Sequence, residues 1–206
     1  MSATLLHIHP DNPEGRKIKQ AIDIIRDGGV IIYPTDTVYG LGCDITNNKA
    51  VEKICRIKGV KPAKATFSFI CPDLSNISFY TKPFGSNIYK IMRKNLPGPF
   101  TFILKASNQV PKMLKNNRKQ VGIRVPNSPI VAALLEQLDA PIMSSSIALP
   151  DEVAYPTDPQ EIFEHYKNQV DLIIDGGFGG NQPSTVVDCT NDEPVIVREG
   201  LGTLED

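Results

Sequence analysis

Apolar positions along this 206-residue chain recur in two alternating rhythms, one helical and one of short uninterrupted runs. Ile18, Ala21, Ile22 and Ile25 fall three and four residues apart and so share a helix face, with Asn12 as cap, Pro13 in the first turn and Gly28-Gly29 as the stop. Val30 to Tyr33 follows as a run too short for a helix and reads as a buried strand. Asn47 or Asn48 caps a helix over 50–57, which delivers Lys58 and a Pro62-containing basic loop to a strand over 67–71. A helix over 87–94 ends at Leu96-Pro97-Gly98-Pro99, before a strand over 100–104. A strand over 121–125 precedes an apolar helix over 130–138 capped by Asn127 or Ser128. Pro141 to Met143 is a brief strand ending in three serines, and Asp158-Pro159 starts an acidic helix. Strands over 172–174, 185–189 and 195–198 complete the pattern. No repeat or low-complexity linker interrupts the alternation. The prediction is an α/β fold, a three-layer single domain over 1–206 around one mixed, twisted sheet.

Composition narrows the setting. No apolar run approaches the length of a membrane span, and an amino terminus with His7, His9 and Asp11 lacks the regions of a secretory signal, so a cytoplasmic protein is expected. Cys43, Cys55, Cys71 and Cys189 lie far apart with no short paired spacing, which argues against a zinc knuckle or disulfide framework and leaves buried or half-buried thiols as the expectation. The net charge is −1, yet residues 49–124 carry sixteen Lys and Arg against Glu52 and Asp73, a surplus of +14, while residues 125–206 sum to −13. Such lopsidedness suggests a basic face for a polyphosphate or a nucleic-acid backbone; the competing reading is solvated lysines that attract the acidic part of the same chain.

Candidate chemistry begins at Tyr33-Pro34-Thr35-Asp36-Thr37-Val38-Tyr39-Gly40-Leu41-Gly42, where a strand stops at a proline and exposes hydroxyls before two glycines. Gly40 and Gly42 would let backbone approach a bound group; alternatively the segment is a strand, a bend and a second strand. Neither a Rossmann turn nor a P-loop fits the glycines at 40–42 and 176–180. Hydroxyls and arginines recur where strands stop: Thr35 and Thr37, Thr101, Arg124, Ser144 to Ser146, Ser184 and Thr185, and Arg198. Converging along one sheet edge, and joined by Lys58 and Lys61, they would line a hollow suited to phosphate and carboxylate oxygens. A metal-hydrolase reading rests on His7, His9, Asp36 and Asp188, but no third ligand appears at helical spacing, and Asp36 is read as ordering its own turn.

Six ordered motifs then carry a resemblance: Tyr33-Pro34-Thr35 with Gly40-Leu41-Gly42, Pro97-Gly98-Pro99-Phe100-Thr101, Ile123-Arg124-Val125-Pro126, Ser144-Ser145-Ser146, Ser184-Thr185-Val186-Val187-Asp188 and Val197-Arg198-Glu199-Gly200. Together they resemble the YrdC-like threonylcarbamoyl-AMP synthases, and the amino-terminal His7 to Pro13 segment is most similar to the YciO branch. The resemblance implies a twisted mixed sheet with a basic concave face. It also implies formation of threonylcarbamoyl-AMP and diphosphate from threonine, bicarbonate and ATP with Mg²⁺, for modification of adenosine 37 in tRNA. By resemblance Thr35, Tyr39, Thr101 and Arg124 contact substrate. Lys58, Lys61, Ser144, Ser146, Ser184 and Arg198 hold the nucleotide and phosphates, and Lys58, Lys61 and Arg124 are catalytic.

Two departures from the family pattern stand out. Lys58-Gly59-Val60-Lys61-Pro62 has Val where an arginine is usual, with Lys61 one position late, and lysine lacks the bidentate fork of arginine. After the serines the chain reads Ile147-Ala148-Leu149-Pro150, so an asparagine amide and a hydroxyl are missing. These differences imply weak or divergent synthase activity. The alternative is a module that binds double-stranded or structured RNA without catalysis.

Overall fold

The apolar runs bounded by breakers form strands throughout the computed structural model, which describes residues 2–62, 65–114, 119–149, 154–191 and 193–205. They are β1 (Thr4–His7), β2 (Ile31–Tyr33), β3 (Gly40–Asp44), β4 (Ser68–Ile70), β5 (Phe100–Lys105), β6 (Gln120–Arg124), β7 (Ile142–Ser146), β8 (Leu172–Asp175), β9 (Thr185–Asp188) and β10 (Val195–Arg198). The helices are α1 (Gly15–Arg26), α2 (Asn48–Ile57), α3 (Ile77–Tyr80), α4 (Ser86–Asn95), α5 (Pro129–Leu138) and α6 (Pro159–Tyr166). All ten strands join one sheet in the order β1-β8-β2-β3-β7-β4-β6-β5-β9-β10. It is mixed: β1–β8, β8–β2, β4–β6 and β5–β9 are parallel pairs and the rest antiparallel.

Helices cover the two faces unequally, and that inequality positions the site. On one face α2, α3, α4 and α6 bury Val51, Ile54, Ile77, Ile88, Met92 and Ile162 against Leu41, Phe69, Phe102, Ile123 and Met143. On the other, α1 and α5 pack together over Ile31, Tyr33, Ile142, Leu172 and Ile174. That second layer stops there, so from β7 through β10 the alternate positions of the strands face an open hollow.

Caps explain several helix ends. Asn47 accepts from Ala50 N–H at 3.0 Å, Ser128 from Val131 N–H at 3.4 Å, and Asp158 from Gln160 N–H at 2.8 Å. Gly28 adopts φ +84, the left-handed turn that stops α1. The expected Asn12 cap is corrected. The amides of Asp11 and Asn12 both donate to His9 Nδ1 at 3.2 Å, so residues 9–12 close a turn of their own and α1 begins only at Gly15, after Glu14. This engages Nδ1 of His9, one of the residues that the metal reading invoked. Among the described residues no group of His, Cys, Asp and Glu could hold a metal ion, and no helix is long and apolar enough to cross a membrane.

Two further expectations change. Ser144 to Ser146 lie inside β7 rather than beyond its end, paired with Gly42, Leu41 and Gly40 of β3. Gly40 and Gly42 belong to a central strand, the second of the two readings. A Cβ on Gly42 would stand 2.8 Å from Tyr33 Cε1 and 2.7 Å from Ile142 Cγ2, so the missing side chain makes room for protein atoms rather than for a ligand.

Candidate functional site

The open part of the sheet holds a hollow of about 680 Å³, within the range of small-molecule sites. Strand register builds its floor in rows. Arg124 of β6 stands beside Thr101 of β5, Thr101 beside Val186 of β9, and Val186 beside Arg198 of β10. A neighbouring row runs Gly42, Ser144, Ser68, Gly122 and Ile103. The expectation of strand ends converging on one edge is therefore corrected: Ser146 and Arg124 end strands that run in opposite directions, and the groups meet across a face.

Of the residues singled out in the sequence, Tyr39, Lys58, Thr101, Arg124, Ser144, Ser146, Ser184 and Arg198 line the hollow. Thr35 and Lys61 are not in its wall. Thr35 Oγ1 donates to Val38 O at 2.6 Å and accepts from Thr37 N–H at 3.2 Å, so it shapes the loop that carries Thr37. Lys61 is exposed.

Arg124 is the electrostatic centre. It is 9% exposed, and its Nη2 donates to Asp36 Oδ1 at 2.8 Å and to Thr37 Oγ1 at 3.1 Å. Asp36 also accepts from Asn127 N–H at 3.0 Å, which corrects its expected role: it clamps the guanidinium instead of merely ordering its own turn. Over the four steps from β2 to β6, a twist of roughly 20–25° per step turns the strands across one another and brings the 35–37 loop to Arg124. Burial pulls the Arg124 pKa down, Asp36 opposes that, and the charge of Arg198 adds to it. Arg124 Nε is buried without a hydrogen-bond partner among the described residues, an uncommon state for a charged donor.

The other polar groups are held by one another. Thr101 Oγ1 and Ser184 Oγ share a hydrogen bond of 2.9 Å, and Arg198 donates from Nη2 to Ser184 O at 2.7 Å and to Ser184 Oγ at 3.2 Å. Behind them the last segment folds back: Leu201 N–H donates to Pro183 O at 2.8 Å, and Thr185 Oγ1 donates to Gly202 O at 2.6 Å. Lys58, at the C-cap of α2, donates to Ser146 O at 2.6 Å, and burial lowers its pKa. Tyr39 spends its hydroxyl on the glycine loop, donating to Gly177 O at 2.7 Å and accepting from Gly176 N–H at 3.3 Å. Tyr33 donates to Ser144 Oγ at 2.7 Å. Sequence reasoning did not assign Tyr33, Asp36 or Ser68 a place in this site; the register of β2, β3 and β7 places Tyr33 there, and no local pattern reports it.

The departures also take physical form. Val60 is exposed, and Ala148 holds its carbonyl toward Tyr166, whose hydroxyl donates to it at 2.6 Å. Pro150 lies outside the described residues. Cys43, near the glycines, is buried and its thiol pKa is raised by burial, which marks it as packing rather than as a nucleophile. No acid lines the hollow among the described residues.

A family model described as "Telomere recombination", covering Sua5, YciO and YrdC, matches residues 23–200. The chain is 48% identical over 201 residues to the uncharacterized protein YciO of Escherichia coli (strain K12), covering 97% of this chain and 96% of that one. The crystal structure of E. coli YciO superposes with a TM-score of 0.92 at 47% identity, over 98% and 97% of the two chains. The threonylcarbamoyl-AMP synthase of Pyrococcus abyssi is 30% identical over 92% of this chain, which spans 56% of that longer protein. The crystal structure of P. abyssi Sua5 complexed with L-threonine gives a TM-score of 0.87 at 29% identity, over 96% of this chain and 58% of that one.

Proposed function

The chain belongs to the Sua5/YciO/YrdC family, and from that premise we propose that its hollow binds ATP and threonine and forms threonylcarbamoyl-AMP, with weak or divergent activity. One observation carries the reading: a cavity walled by Arg124, Lys58, Arg198 and serine and threonine hydroxyls, with no acid in its lining among the described residues. Such a wall suits a ligand that brings only acceptor oxygens.

The reaction joins two anions. Threonine and bicarbonate condense to a carbamate with loss of water; a carbamate oxygen then forms a bond to the α-phosphorus of ATP as the bond to the diphosphate oxygen breaks. No protein nucleophile is needed, so the chain's task is to offset repulsion and hold the partners in line. Arg124, with Thr101 beside it, takes the carboxylate side. Arg198, Ser184, Ser144 and Lys58 take the phosphates. Mg²⁺ would be carried by the nucleotide phosphates and would offset their charge, which fits a lining without acids among the described residues. Lys61 and Thr35 act from outside the wall: Lys61 by swinging toward the diphosphate, Thr35 by shaping the Thr37 loop.

Diphosphate release from ATP tests the reading, measured with and without threonine and bicarbonate. Release that requires both supports it. Bound nucleotide with no turnover would move the assignment to another substrate.

A second reading, binding of structured RNA, is favoured by a lysine cluster at the end of the sheet. Lys82 N–H donates to Lys105 O, and Ala106 N–H to Lys119 O, both at 2.8 Å, so three exposed lysines occupy adjacent rungs. Lys105 shares the sheet face of Thr101 and Ile103. RNA affinity that falls steeply between low and moderate salt supports this reading, and negligible affinity at moderate salt ends it.

A further inference from the structure

Tyr33 is fully buried, and its ring lies over the backbone of β3 in a slot made by glycines. A Cβ on Gly40 would stand 3.3 Å from Tyr33 Cζ and 3.1 Å from Ser144 Oγ. The ring can turn to few partners, and its hydroxyl donates to Ser144 Oγ at 2.7 Å. A phenol has one hydrogen to donate, and here it is spent on the serine oxygen. Ser144 also has one proton, for which no acceptor exists among the described residues, while its side lines the hollow.

We infer that Tyr33 is a positioning residue that makes Ser144 a hydrogen-bond donor toward the hollow, so this point of the wall takes a phosphoryl or carboxyl oxygen and disfavours a ligand N–H or O–H. The polarity follows from proton counting: an oxygen already accepting from a buried phenol directs its own hydrogen elsewhere. Burial pushes the Tyr33 hydroxyl up to about 12, so it stays a donor across the neutral range. The guanidinium of Arg124 lines the same wall and adds a positive charge, so both residues point to an anionic occupant. The inference deepens the proposed function and rests on it only in taking the hollow as an anion site.

Binding decides it, by calorimetric titration of sodium diphosphate and, separately, L-threonine into wild type, Tyr33→Phe, Ser144→Ala and the double variant. Tyr33→Phe should weaken one of the two ligands by about tenfold and leave the other unchanged, which identifies whether Ser144 meets a phosphate or a carboxylate. In the Ser144→Ala background the same substitution should have no effect, the signature of action through the serine. Equal weakening of both ligands would reduce Tyr33 to a structural role and overturn the inference. So would unchanged binding of both, or a wild type that binds neither anion. A wild type that binds an anion and shows this coupling but never releases diphosphate from ATP would sink the synthase reading alone.

Discussion

Arg124 and Asp36 illustrate how a single residue pair sets the site. Their side chains are 11% and 9% exposed and joined at 2.8 Å, so removing one partner leaves a buried charge uncompensated. Asp36→Ala should therefore lower unfolding free energy by about 3–5 kcal/mol, read from urea denaturation. It should also weaken threonine binding, because the guanidinium that takes the carboxylate side loses its clamp. Tyr33 makes a pH prediction. Its pKa is raised from 10.0 to about 12 by burial, so the folded state keeps a proton that the unfolded state releases. That stabilisation is complete below pH 10 and is lost as pH rises from 10 toward 12, at about 1.4 kcal/mol per pH unit. Tyr33→Phe should flatten this part of the alkaline slope relative to wild type, leaving the contribution of Tyr39, which titrates in the same window.

At the scale of elements, α2 and β3 hold the wall in place. The Asn47 side chain caps α2 at one end, and Lys58 reaches Ser146 from the other. Asn47→Ala should cost about 1 kcal/mol in denaturant unfolding, with Lys58 less firmly seated as the functional consequence. Gly42→Ala tests the β3 slot. Its methyl group would meet Ile142 and Tyr33 at 2.7 and 2.8 Å, and overpacking of this kind costs about 1–3 kcal/mol. The variant should lose both thermal stability and anion affinity, since the displaced ring carries the Ser144 hydrogen bond. Elements were the most legible level of the sequence. Every strong apolar period became a helix or strand close to its expected bounds, because periodicity reports directly which face is buried. Helix α3 was not anticipated: four residues, Ile77–Tyr80, carry no period to read. The Asn12 cap failed because the amides of Asp11 and Asn12 turn back onto His9, and α1 begins only at Gly15, after Glu14.

For the molecule as a whole, charge is divided between the faces. Lys49 and Arg56 on α2 and Lys90 and Arg93 on α4 are exposed on the helical layer, whereas Lys58, Arg124 and Arg198 reach the hollow. Within the basic stretch Lys53 pairs with Asp171 and Arg124 with Asp36, whereas Lys49, Arg56, Lys90 and Arg93 stand on the exposed side of their helices. The two readings of function thus separate physically. Lys82→Glu with Lys105→Glu should abolish any RNA binding in electrophoretic or fluorescence assays while ATP affinity changes less than twofold, since neither lysine lines the hollow.

The order of apolar and polar residues by itself determined the class of fold and the inventory of reactive groups, because burial periodicity and residue chemistry are local properties. It named nine of the wall's side chains, Ser145 among them, and the family they resemble. Only the tertiary structure decided that those groups meet across a twisted face rather than along an edge, that Asp36 holds Arg124, and that Tyr33 donates its hydrogen bond to Ser144. Those facts depend on register between strands 111 residues apart for Tyr33 and Ser144, and on the sheet's accumulated twist. Neither leaves a trace in any window of the chain.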